Sequence, residues 1–85
     1  MNKSYYNAES NLIAKRLRQL RKERGFSQEE LAAQLQLLGV DINQPLISKI
    51  ERNRRFVKDY ELACLGQVLQ VSERDLLADF YNATE

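Results

Sequence analysis

Apolar residues recur along this chain three and four positions apart, the spacing that lines one side of an α-helix rather than the alternating faces of a strand. Ile13, Leu17 and Leu20 form the first stripe, with Leu12 at its edge. Leu31, Leu35 and Leu38 form the second, and Ile47 and Ile50 the third. Leu62, Cys64, Leu65 and Leu69 make the fourth, and Leu76, Leu77 and Phe80 the last. The pattern predicts an all-α fold of five helices joined by short turns, with no internal repeat and no low-complexity segment.

Short polar residues and glycines predict where these helices start and stop. Helix 1 begins near Asn7 or Ser10, both acceptable N-caps, and runs to about Arg24, where Gly25 ends it and Phe26 packs the turn onto the core. Ser27 with Glu30 three residues later is a capping box for helix 2, which Gly39 stops. Helix 3 starts at Asn43 or Gln44. Asn43 is the better cap by residue type, whereas Pro45 as the first helical residue would make Gln44 the cap; Asn43 is preferred. Asn53 ends helix 3, since Asn tolerates the left-handed conformation better than most non-glycine residues. Helix 4 covers about Lys58 to Leu69, burying Cys64 as a small core residue. Ser72 caps helix 5 with Asp75 in the capping-box position, and the last few residues are expected to fray.

Eighty-five residues allow one domain with a single small core, so a partner subunit is a natural source of extra stability. No stretch approaches a membrane span, the first ten residues lack the apolar run of a signal peptide, and one cysteine suits a reducing cytoplasm. Histidine is absent, which argues against proton-transfer catalysis near neutral pH. A single cysteine without histidine makes neither a metal cluster nor a Cys–His nucleophile, and Gly25, Gly39 and Gly66 form no phosphate-cradling loop. Neither enzyme nor cofactor chemistry is expected.

Net charge is only +1, but its distribution is uneven. Lys15, Arg16, Arg18, Arg21, Lys22 and Arg24 form one basic cluster, and Lys49, Arg52, Arg54, Arg55 and Lys58 a second, together 11 of the 13 basic residues. From Asp59 to Glu85 the balance is −5. One face for a polyanion and another for a different partner would produce this asymmetry, although charge alone equally suits solvated helix faces.

The informative constellation is SQEELAAQL, a turn, and NQPLISKIERNRR. A helix that enters the major groove needs an outward side whose amide or short polar groups reach base edges, and a second helix across the backbone to set its angle. Gln44, Pro45, Ser48 and Lys49 lie on the outward side of helix 3, where Gln44 and Lys49 can donate to base acceptors. Gln28 sits at the first turn of helix 2, where free N–H groups and the helix dipole favour a phosphate. Arg52, Arg54 and Arg55 follow helix 3 and are placed for the sugar-phosphate rails.

The run IAKRLRQLRKERGFSQEELAAQL, then ISKIERN, then LACLGQVLQVSERDLL resembles the phage-repressor/Cro type of helix-turn-helix, the xenobiotic-response-element regulator family, over about residues 11 to 80. The resemblance implies a compact five-helix lambda-repressor-like domain at 11–80, flanked by an N-terminal arm (1–10) and a C-terminal tail (81–85). It implies that Gln28 contacts phosphate and positions Gln44, that Gln44 is the leading base reader with Lys49 second, and that Ser48 adds a polar contact. Pro45 would offer only apolar contact to a thymine methyl, and Arg21 and Glu51 would form a structural ion pair between helices 1 and 3. The phosphate-contacting set is then Ser27, Gln28, Asn43, Arg52, Asn53, Arg54 and Arg55.

Two departures from the family pattern stand out. Gln36 occupies a place where glycine is common, and QLLGVDI lengthens the connection between the motif helices by about five residues over the usual tight turn. Helix 2 is expected to gain a turn, with Val40 and Ile42 against the core. Asn53 also stands where glycine is common.

A single recognition helix reads few base pairs, so the expected form is a homodimer on double-stranded DNA, a cytoplasmic transcriptional regulator and specifically a repressor. The rival is an antitoxin or protein-interaction module of the same fold, acting through the acidic C-terminal third with Phe80 and Tyr81. Tyr5 and Tyr6 are expected to anchor the arm rather than to approach DNA.

Overall fold

The structure, a computed structural model, describes residues 10–84. Asn7 as a helix start and the anchoring of Tyr5 and Tyr6 concern positions outside the described residues. Six helices and no strand are found among those described: α1 (Ala14–Glu23), α2 (Gln28–Leu37), α3 (Gln44–Glu51), α4 (Asp59–Leu69), α5 (Glu73–Leu76) and α6 (Ala78–Thr84). α3 packs against α1 and α2, and α4 closes the far side against α2 and α5. One core results: Ile13, Leu17 and Leu20 meet Leu31, Leu35, Ile47, Ile50, Leu65, Leu69 and Leu76.

Short polar side chains start three of the helices. Ser27 Oγ accepts from Glu30 N–H at 3.0 Å while Glu30 Oε1 accepts from Ser27 N–H at 2.8 Å. Ser72 and Asp75 repeat the arrangement at α5. Asn43 is the cap of α3, its Oδ1 accepting from Leu46 N–H at 3.1 Å, so Pro45 falls at the second helical position and removes no needed donor.

Four helix ends share one device, a residue with positive φ followed by an N–H that reaches back across the last turn. Gly25 (77°), Gly39 (82°), Asn53 (60°) and Gln70 (59°) supply the left-handed position. The returning bonds are Phe26 N–H to Arg21 O, Val40 N–H to Leu35 O, Arg54 N–H to Lys49 O and Val71 N–H to Gly66 O. Gly66 is required for another reason: a Cβ there would lie 2.8 Å from the Val71 carbonyl oxygen.

Three expectations are corrected. α1 starts at Ala14, with no side-chain cap, rather than at Ser10. Ser10 and Asn11 are engaged elsewhere, both donating their N–H groups to Asn53 Oδ1 at 2.8 Å. Asn11 Nδ2 in turn donates to the Ile50 and Arg55 carbonyls at 3.1 and 3.0 Å. The segment before α1 is thereby fastened across the end of α3. Leu38 is 41% exposed rather than buried, because α2 ends at Leu37 and the Gly39 turn carries Val40 and Ile42 into the core instead. The last helix is broken at Leu77 into α5 and α6, and residues expected to fray are helical through Thr84. There the Arg74 guanidinium lies 3.9 Å from the Tyr81 ring centroid, and Phe80 meets Tyr81 edge-on at 5.5 Å.

Leu31→Ala should cost about 2–5 kcal/mol in denaturant unfolding, whereas Leu38→Ala should stay within about 0.5 kcal/mol, reversing their equal standing in the sequence pattern.

Candidate nucleic-acid interface

The motif helices are joined through a chain of side chains that begins in the core. Arg21 on α1 donates from Nε to Glu51 Oε2 at 2.6 Å and from Nη2 to Glu51 Oε1 at 3.1 Å. Its Nη1 donates to the Phe26 carbonyl at 2.8 Å. Glu51 Oε1 also accepts from Gln28 Nε2 at 3.0 Å, and Gln28 Oε1 accepts from Gln44 Nε2 at 2.9 Å. Four residues from three helices thus run in series from a desolvated ion pair, with side chains 10% and 3% exposed, to the first residue of α3. Each acceptor in the series fixes the orientation of the amide that donates to it: Glu51 takes the Gln28 Nε2 hydrogen, which turns Gln28 Oε1 toward Gln44 and so orients the Gln44 amide.

The outward side of α3 follows from its inward side. With Ile47 and Ile50 fully buried, Pro45 and Lys49 are exposed and Gln44 and Ser48 are half-buried. The free edge is therefore amide, imino ring, hydroxyl and ammonium. The connection before α3 is tied to α2, since Gln36 donates from Nε2 to the Ile42 carbonyl at 3.1 Å.

The two basic clusters divide by role once folded. Arg24 donates to the Leu69 carbonyl at 2.6 Å, satisfying the end of α4, and Arg16 donates to the Asp75 carbonyl at 3.2 Å. With Arg21 paired, half of the first cluster serves the frame. Lys15, Arg18 and Lys22 remain exposed. Arg18, Gln28, Ser48 and Arg52 line one polar recess of about 290 Å³ together with Arg21 and Glu51. Arg18 was missing from the sequence-based candidates; its place three residues before Arg21 on α1, hence on the same side, was the signal for it.

After α3, Arg52 and Arg54 are exposed. Arg55 instead places Nη1 and Nη2 on Glu61 Oε1 and Oε2 at 2.9 and 3.1 Å. Glu61, 2% exposed, also accepts from Lys58 N–H at 2.9 Å, so one carboxylate ties the loop after α3 to the start of α4. Burial pushes its carboxyl up, but the Arg55 hydrogen bonds, the Lys58 N–H and both positive charges outweigh this and hold it below its ordinary range. Neither this pair nor the Asn11–Asn53 clamp was anticipated. Asn53 Oδ1 is occupied by Ser10 and Asn11, and the oxygens of Ser27 and Asn43 are occupied by helix caps. Those bonds use acceptor oxygens, and the Ser27 and Asn53 N–H groups are also committed, to Glu30 Oε1 and the Ile50 carbonyl. What these three residues can still offer a phosphate includes the Ser27 hydroxyl proton and the Asn43 and Asn53 Nδ2 amides.

Among the described residues no group of acidic, cysteine or histidine side chains could hold a metal ion, and no helix is long and apolar enough to cross a membrane. A family model described as a helix-turn-helix domain matches residues 12–83. No curated protein matches the chain.

Glu51→Ala should lower unfolding stability by about 3–5 kcal/mol, because Arg21 would be left buried with its charge poorly satisfied. Glu61 contributes stability above the ordinary carboxylate pKa of about 4.3, and loses it as pH falls through the lower folded-state value. Unfolding curves from pH 7 downward should therefore show Glu61→Gln less stable than the parent at neutral pH, with the gap closing below about pH 4.

Proposed function

Since the chain belongs to the helix-turn-helix domain family, in the group of Cro-type regulators, DNA is its partner, and we propose that it reads duplex DNA sequence-specifically by laying α3 in the major groove. The observation that carries this reading is the series Arg21–Glu51–Gln28–Gln44, which delivers an oriented amide to the start of an outward polar helix edge. An amide held in this way can pair bidentately with adenine, and Lys49 one turn on can donate to guanine O6 or N7. Ser48 adds a hydroxyl and Pro45 an apolar surface for a thymine methyl. Gln28, Arg52 and Arg54, joined by Arg18 from α1, bind the phosphates on either side and fix the register. Arg55 contributes mainly by holding that loop through Glu61.

The protein acts as a homodimeric transcriptional repressor in the cytoplasm, two copies occupying half-sites about 34–36 Å apart, one turn of the duplex. The alternative, an antitoxin or protein-interaction module using the acidic C-terminal third, has less support. Phe80 and Tyr81 are half-buried there, with Arg74 over the Tyr81 ring, and offer little apolar surface to a partner.

Selection from a random duplex library should return an inverted repeat, and affinity for it should fall steeply as salt rises, through counterion release. Gln44→Ala should lose about 1–3 kcal/mol on the selected site and relax preference at one base pair, while Arg54→Ala should weaken selected and random DNA alike. Equal effects of both variants on both DNAs would overturn the assignment.

A further inference from the structure

Two large apolar side chains stand far out of the surface: Leu37, 79% exposed, and Phe56, 77% exposed. Leu37 lies at the end of α2, and the recess nearest it in sequence, lined by Gln36, Gly39, Val40 and Asp41, is mainly polar. Phe56 rises from the loop between α3 and α4 at the mouth of an apolar groove that it helps to line, with Leu12, Val57, Asp59, Leu62 and Leu77. The groove measures about 230 Å³. An apolar cavity of about 150 Å³ is enough to take benzene, so the groove has room for a phenyl ring.

A protruding ring and a hole that fits such a ring therefore sit side by side on one surface. That combination is self-complementary, the requirement of a two-fold contact in which each copy presents the same patch. The rim has the same property, because exposed Lys58 and Asp59 are neighbours and a two-fold axis can set each against its opposite in the second copy. The location suits the use: Phe56 follows Arg54 and Arg55 directly, so an axis here keeps the ends of both α3 helices beside it and presents them to one face of a duplex.

We propose that this surface is the dimer interface, occupied by a second copy of the chain, with Phe56 of each copy seated in the groove of the other. The inference rests on the homodimeric DNA-binding reading and names the residues that make the dimer.

The test uses the full chain as parent, Phe56→Ser and Leu37→Ser, the second being an equally exposed apolar control. Binding is measured on duplexes with one half-site and with the inverted repeat, alongside circular dichroism and sedimentation of the free protein. Phe56→Ser should keep the parent helicity and single half-site affinity. It should lose cooperativity on the inverted repeat and weaken self-association at least tenfold, while Leu37→Ser matches the parent. Cooperativity unchanged in Phe56→Ser would overturn the interface and leave the dimer standing on another surface. A parent chain without cooperativity would remove the dimer itself, while its half-site affinity would still report on DNA binding. In mixed labelled and unlabelled protein, magnetization transfer from the Phe56 ring to Leu62 or Leu77 of the other copy supports the proposal. Transfer only to Tyr5 or Tyr6 of the same chain would show the groove filled by residues 1–9 and would overturn it.

Discussion

Glu51 and Arg21 are two charges withdrawn from water between α1 and α3, and the position of α3 depends on their being satisfied in full. A desolvated carboxylate and guanidinium are stable together only when every remaining donor and acceptor finds a partner. Here Glu51 takes both Arg21 bonds and one from Gln28, while the remaining Arg21 nitrogen reaches the Phe26 carbonyl. No buried side-chain nitrogen or oxygen among the described residues lacks a partner. Hydrophobic packing of Ile47 and Ile50 holds α3 to the core but tolerates small rotations. The ion pair does not, since directional bonds fix both ends. What reaches the surface as the orientation of Gln44 is set, through Gln28 of α2, by a charge pair at the other end of α3.

A similar economy governs the loop after α3. Asn53 adopts the left-handed conformation that glycine would enter more easily, and in exchange its side chain captures two backbone N–H groups of the segment before α1. Asn11 returns the contact by capping the Ile50 and Arg55 carbonyls. Arg55 then anchors the same loop to the buried Glu61. Three separate attachments thus hold a short segment that carries Arg52, Arg54 and Phe56 outward. A preorganised segment loses little conformational freedom on binding, which is how a small domain retains affinity from few contacts.

Charge counts misjudge such a molecule because they cannot separate cations that face solvent from cations used as internal donors. Arg16, Arg21, Arg24, Arg52 and Arg55 each donate to a carbonyl or carboxylate of the protein, Arg24 and Arg52 while still exposed, and Lys15, Arg18, Lys22, Lys49, Arg54 and Lys58 are exposed as well. Of these, Arg18 of α1 and Arg52 after α3 meet at one recess with Gln28 and Ser48. The acidic surplus after Asp59 is likewise partly internal, Glu61 being committed to Arg55.

Local chemistry was legible in the residues themselves. Ser27 with Glu30, Asn43 before Pro45, Ser72 with Asp75, and Gly25, Gly39 and Asn53 at helix ends each act within three or four positions, where backbone geometry allows few alternatives. The helical stripes named nearly all of the core for the same reason, and family resemblance named the Arg21–Glu51 couple and the Gln28–Gln44 contact. Tertiary structure alone decided which way the chain left each element. Burial of Val40 and Ile42 was expected from the sequence, but Leu38, which shares the stripe of Leu31 and Leu35, sits at the end of α2 where the chain turns at Gly39, and it stays 41% exposed. Pairings across 42 or 43 positions, such as Asn53 with Asn11 and Ser10, have no local signature because any exposed amide could have made them. Whether Arg55 reaches outward or inward, and whether Phe56 is core or knob, turned on where α4 came to rest, which is a property of the whole packing and not of any segment.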